Sequence, residues 1–343
     1  MADIDWNSGN KQGLVSIGSH RLYLEVAGPD RIRTEPVVLI IQGLGSCFSA
    51  WATVIRHLRP LLRVAIYDRA GLGKSERSPR PLTSENIVSE LKELLDVAAI
   101  KPPYLIVAHS WGGVLAQEFI FRYPYPQVVG LVLVEANNEN TLETLDWRPF
   151  MNWISSSGID IPATLNLELR NQMSQDEWLQ SQQDAAQPSH IEQAVREFAA
   201  YPASFEALRR KNLLSREPPL FDLQPLVVVV GTNGVDMQKL MKAAIEIGVG
   251  TLEERAHFQK FVEEFEDIDY GLQSSAQRLS ENSLVYSAGN NSGHNVHMTE
   301  PEILMIIIRY VMGHSDSGDR FSRHRTLSLS TLWGIEETTE QTV

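Results

Sequence analysis

A succession of short apolar runs, each closing on a glycine or a polar residue, constrains this chain more than any other feature. Residues 37–42 (Val, Val, Leu, Ile, Ile, Gln) lead into Gly43, and residues 64–67 end at Asp68 ahead of Gly71 and Gly73. Residues 104–108, 131–135 and 226–231 repeat the pattern. Continuous runs rich in β-branched residues, bounded by turn residues, are expected of strands buried on both faces, as in a parallel sheet. Pro36 stands where such a strand can begin without losing a ladder donor. Between the runs, residues 84–98 place Ile87, Val88, Leu91, Leu94 and Leu95 at helical spacing, with Thr83 or Ser84 positioned as the cap. Residues 112–123 read as a second helix. Strand alternating with helix predicts an α/β fold with a mostly parallel, doubly wound sheet. Ahead of Pro36, residues 20–27 set Leu22, Leu24 and Val26 against Arg21, Tyr23 and Glu25, the pattern of an antiparallel edge hairpin.

The alternation breaks after Glu135. Residues 140–218 hold no strand run but several helix-like pieces and many aromatics, among them Trp147, Phe150, Trp153, Trp178, Phe198 and Phe205. That length is too great for a bare loop, so a helical cap over the sheet's top edge is expected. A helix-rich stretch at 237–279 precedes a last strand at Ser283–Ser287 and a last helix at 301–311. The expected organisation is a core of 1–139 and 219–313, a cap of 140–218, and a tail of 314–343 whose Ser, Thr and charge content predicts disorder.

The chemistry centres on Val107-Ala108-His109-Ser110-Trp111-Gly112-Gly113. A nucleophilic serine must stand clear of the sheet on a turn so sharp that the residues two positions away on either side are small. Ala108 and Gly112 meet that demand, with a buried strand before and a helix after, which makes this a nucleophile elbow with Ala for the first Gly. A serine capping an ordinary helix is the plainer alternative.

Taken with its neighbours, the elbow makes the chain resemble the α/β-hydrolase family over residues 14–312. Gln42-Gly43-Leu44-Gly45 is similar to the family's His-Gly-x-Gly oxyanion segment, with Gln42 where His is usual. The run 67–75 (Tyr-Asp-Arg-Ala-Gly-Leu-Gly-Lys-Ser) is similar to its D-x-x-G-x-G-x-S turn. Ser292-Gly293-His294, followed by Glu300-Pro301, is similar to its C-terminal Gly-His segment. The resemblance implies an α/β-hydrolase fold with a helical cap, Ser110 as nucleophile and His294 as base, with His297 the alternative base. It implies an oxyanion hole of the backbone N–H groups of Leu44 and Trp111. The acid is Glu135, at a strand C-terminus, or Asp236, in the loop after residues 226–231; Asp222 lies at the wrong end of that strand. His109, Asp68, Arg69 and Ser75 are expected to be scaffold.

Several classes are disfavoured. Haloalkane dehalogenases and epoxide hydrolases share the layout but carry an aspartate at the elbow. A net charge of −13 disfavours nucleic acid and membrane surfaces as partners. The single cysteine, Cys47, cannot bridge internally, and residues 1–13 lack the apolar stretch of a signal peptide, so a cytoplasmic protein is expected. No metal-ligand spacing and no dinucleotide fingerprint is found, so neither metal nor cofactor is implied. The leading expectation is hydrolysis of an ester, lactone, thioester or amide of an apolar small molecule through an acyl-enzyme on Ser110. The alternatives are a non-hydrolytic cyclase or C–C bond-forming or bond-cleaving enzyme of small-molecule (secondary metabolite) biosynthesis, and a non-catalytic ligand-binding module.

Overall fold

The apolar runs become strands of one sheet. The computed structural model describes residues 4–32, 34–289 and 292–317. Its strands are β1 (Lys11–Ser16), β2 (Arg21–Ala27), β3 (Val37–Ile41), β4 (Val64–Tyr67), β5 (Tyr104–His109), β6 (Val128–Val134), β7 (Leu226–Val230) and β8 (Ser283–Ser287). They form an 8-stranded sheet in the order β1-β2-β4-β3-β5-β6-β7-β8. β2 pairs antiparallel with β1 and with β4, and every pair from β4 to β8 is parallel. This is the α/β-hydrolase fold that the motifs imply.

The helices are α1 (Ala52–Leu58), α2 (Ser84–Val97), α3 (Gly112–Arg122), α4 (Thr141–Thr144), α5 (Arg148–Ser156), α6 (Ile161–Thr164) and α7 (Leu167–Arg170). They continue as α8 (Gln175–Ala185), α9 (Pro188–Arg209), α10 (Asn233–Glu246), α11 (Leu252–Ser274), α12 (Val296–Thr299) and α13 (Pro301–Ser317). The Thr83 hydroxyl accepts the Asn86 N–H at 3.2 Å and caps α2.

Burial on both faces explains the missing alternation. In β3, Val37, Leu39 and Ile41 pack on one side of the sheet with α2 and α3, while Val38 and Ile40 pack on the other with α1 and α13. Every position faces a helix layer, so every position is apolar. The predicted hairpin forms, but β1 takes the edge and β2 lies inside it. Tyr23, on the polar side of the alternation, is therefore buried, its hydroxyl donating to Gln12 Oε1 at 2.6 Å.

Beyond β6 the chain enters the helical layer. Leu145, Phe150 and Ile154 share a core with Met237, Leu240 and Met241 of α10 and with Val262 and Phe265 of α11. The layer over the sheet is thus fed from two places, after β6 and after β7, whereas the expected boundaries left 219–313 wholly with the sheet. α13 continues through Ser317, so residues 314–317, expected to begin a disordered tail, are helical. The rest of that expected tail, 318–343, lies outside the described residues. Among the described residues no helix is long and apolar enough to cross a membrane.

Candidate active site

β5 carries the chain straight to Ser110, whose φ is +54°. A non-glycine residue there costs on the order of 1–3 kcal/mol and persists only where its surroundings enforce it. Here the Ser110 N–H donates to the Val134 carbonyl at 3.1 Å, and the Ser110 carbonyl accepts from Gly113 and Asn137, each at 2.9 Å. The tightness of the turn explains the small neighbours. A Cβ on Gly112 would enter the Ile41 carbonyl oxygen, and one on Gly43 would sit 2.9 Å from the Ser110 Cβ.

His294 lies in the 3₁₀ turn Gly293–Asn295 beyond β8. Its Nδ1 is 3.2 Å from Glu135 Oε2. Glu135 is the first residue past β6, held at φ +46° with its side chain fully buried. Its other oxygen accepts from the Gly231 N–H at 2.5 Å and from Gln273 Nε2 at 3.1 Å, which fixes the carboxylate in the plane it presents to the ring. Burial alone would depress the His294 pKa; the hydrogen bond and charge of Glu135, with Asp269 and Asp236 behind, outweigh burial and raise it above the ordinary 6.5.

Asp236 stands differently from expectation. The segment after β7 is not a long loop: α10 begins at Asn233, so Asp236 sits in the first turn of a helix. There its buried carboxylate pairs with Arg170 at 3.1 Å and Lys239 at 3.2 Å. Among the described residues no hydrogen bond joins it to His294.

The two other histidines named from the sequence, His297 and His109, are buried. His297 stacks on Trp51 at 4.6 Å between centroids, and burial with the nearby His294 pushes its pKa down to about 3. His109 is held well below its ordinary value by burial and by its neighbours His297 and His294. Its Nε2 is 2.9 Å from the His294 carbonyl, which can only accept, so Nε2 carries the proton and the neutral ring tethers the His294 turn.

Ser110, Leu44, Glu135 and His294 line one cavity of about 280 Å³. The cap supplies apolar wall from Leu145, Trp147 and Met151, and α10 and α11 supply Met237, Leu240 and Phe265. No hydrogen bond links the Ser110 hydroxyl to His294 among the described residues; such bonds often tighten only around a substrate. The backbone N–H groups of Leu44 and Trp111 donate to no protein acceptor among the described residues. Gln42 uses its Nε2 on the Tyr67 carbonyl at 2.6 Å, tying the end of β3 to the end of β4.

Of the residues expected to be scaffold, Asp68 accepts from the N–H groups of Phe48 and Lys74 at 2.7 and 2.9 Å, and the Ser75 hydroxyl donates to the Asp68 carbonyl at 2.6 Å. Arg69 forms a fully buried ion pair with Glu197 of α9 at 2.7 Å. The sequence reading missed Asp269 and Gln273, which also line the cavity. Burial and the charge of Glu135 push Asp269 up to about 8. Their i,i+4 spacing on α11 looks like any solvated helix face, and only the packing of α11 over Glu135 distinguishes them.

A model described as the alpha/beta hydrolase family matches residues 37–304. An "AB hydrolase superfamily protein" of Gibberella zeae is 30% identical over 301 residues, covering 85% of this chain and 91% of that protein. A Hormonema carpetanum protein named "Probable transporter efuK" is 30% identical over 310 residues, 89% of this chain; the chain spans only 43% of that protein's length. Among solved structures, Cfl2 of Burkholderia cenocepacia superposes with a TM-score of 0.62 at 15% identity, covering 89% of this chain and 96% of that one. That last likeness is one of fold.

Proposed function

The chain belongs to the alpha/beta hydrolase family, and from that premise we propose that it is a serine hydrolase acting on an ester, lactone, thioester or amide of an apolar small molecule. The observation that carries the proposal is the His294 Nδ1–Glu135 Oε2 contact of 3.2 Å, at a cavity that Ser110 also lines from its strained turn.

In this mechanism Glu135 receives the Nδ1–H and so leaves the Nε2 lone pair free to take the Ser110 proton. Ser110 Oγ bonds to the substrate carbonyl carbon, and the carbonyl oxygen becomes an oxyanion facing the N–H groups of Leu44 and Trp111. The intermediate collapses, the bond to the leaving group breaks, and His294 returns the proton to that group. Water, deprotonated by the same imidazole, then attacks the acyl-enzyme; the acid leaves and Ser110 regains its proton. The aromatic and aliphatic walls of the cavity support an apolar acyl or alcohol portion. The serine at the elbow supports acyl transfer over the alkyl-ester chemistry of an aspartate nucleophile.

A chromogenic ester tests this directly. With p-nitrophenyl butanoate, wild-type protein should release a stoichiometric burst of nitrophenolate and carry a butanoyl group on the Ser110 peptide, and Ser110→Ala should do neither. Equal turnover by Ser110→Ala, with no acylated peptide from the wild type, would overturn the proposal.

A further inference from the structure

Arg69 carries more than an ion pair. Its Nη1 donates to the Gln42 carbonyl at 2.8 Å and its Nη2 to the Gly43 carbonyl at 2.6 Å. Nε and Nη2 also hold the two oxygens of Glu197 at 2.7 and 2.8 Å. The same Glu197 accepts the Gly45 N–H at 2.8 Å. Every one of these backbone groups belongs to the segment that brackets Leu44.

Peptide units are planar and trans, so the Gly43 carbonyl and the Leu44 N–H point in opposite directions. Gripping the Gly43 oxygen from within the core therefore turns the Leu44 N–H away from Arg69. Gly43 abuts Ser110 and Leu44 lines the cavity, so the turned N–H faces the reacting side. Glu197 pins the next peptide plane through Gly45, leaving Leu44 fixed on both flanks. A cation on the Gly43 oxygen also polarises that peptide, which strengthens its N–H as a donor. The Ser46 N–H reaches the same oxygen at 3.3 Å, so the segment has a weaker local restraint of its own.

The cap takes part in this arrangement. Glu197 and His190 lie 7 residues apart on one face of α9, and His190 Nε2 bonds the Gly45 carbonyl at 2.8 Å while its Nδ1 accepts the Gly73 N–H at 3.1 Å. We propose that Arg69 is a positioning residue that aims the Leu44 N–H at the developing oxyanion, and that α9 completes the device through Glu197. This rests on the serine-hydrolase reading of Ser110.

Arg69→Lys keeps a positive charge beside Glu197 but cannot fork to both carbonyls. Its second-order rate of labelling by a fluorophosphonate, and its kcat on p-nitrophenyl butanoate, should each fall by about 10- to 100-fold, with KM little changed, because a misaimed donor weakens the transition state selectively. A purely structural role would lower the melting temperature and leave both rates per folded molecule at the wild-type value, which overturns the inference. Wild-type protein that resists labelling would instead remove the reading of Ser110, and this inference with it. Should Arg69→Lys fail to fold, the structure of the phosphonylated wild-type protein decides. A phosphonyl oxygen on the Leu44 N–H with the Gly43 carbonyl still on Arg69 supports the assignment; a Gly43 carbonyl turned away from Arg69 overturns it.

Discussion

Glu135 and Asp236 present the same functional group to the same end of the cavity, yet their surroundings give them different work. Glu135 has one oxygen tied to Gly231 and Gln273 and the other facing His294, while Asp236 is engaged by Arg170 and Lys239. Glu135→Gln should lower kcat by about 10²–10⁴. Asp236→Asn should stay within about tenfold of wild type, or 1.4 kcal/mol; steady-state kinetics on one ester compares them. The pH profile follows from the raised His294 pKa. The base works only when neutral, so the acid limb of the rate should fall above pH 6.5, and Glu135→Gln should move it down. Asp269 gives a second titration, with its sign fixed by burial. The folded state holds a proton that the unfolded carboxyl releases above its ordinary 3.8, so stability is full below that value and is lost as pH rises toward about 8. Melting temperatures from pH 5 to 9 should fall less steeply in Asp269→Asn than in the wild type. Ser110, His294 and Glu135 were legible as candidates from their places at the ends of strand-like runs. The choice of acid was harder, because only the early start of α10 at Asn233 takes Asp236 out of the loop where its spacing had placed it.

The strands were easy to find for a simple reason. A strand covered on both sides has no polar face, so β3, β4, β5 and β7 announce themselves as unbroken apolar runs. The elbow that follows β5 depends on bare backbone contact, and Gly112→Ala, which drives a Cβ into the Ile41 carbonyl, should destabilise the protein by about 1–3 kcal/mol. Denaturant unfolding measures it. The tie between α9 and the turn at 67–75 could not be read beforehand, since a Glu on a cap helix and an Arg in a glycine-rich turn are 128 residues apart. That pair makes a prediction about cooperativity between elements. Glu197→Ala strands a buried guanidinium and should cost about 3–5 kcal/mol. The double change Arg69→Met with Glu197→Leu removes both charges and should cost less than Arg69→Met and Glu197→Leu summed, as a double-mutant cycle of those variants in urea would reveal.

Across the whole fold, the sheet sets Ser110, Glu135 and His294 along one edge, and the helical layer closes a cavity over them. Ser110 comes from the end of β5, Glu135 from the end of β6 and His294 from the turn beyond β8, so parallel strands alone bring distant sequence segments to one edge. The roof is assembled from two insertions whose apolar faces meet in one core, so the cap expected at 140–218 is only part of it and α10 and α11 complete it. An edge that forms a covalent acyl-enzyme on Ser110 should also react there with a fluorophosphonate probe, read by intact-mass and peptide analysis. The wild-type protein should gain one adduct, mapped to Ser110, and Ser110→Ala should gain none. A folded wild-type protein that gains no adduct, or one that carries it on another residue, would rule out Ser110 as the nucleophile.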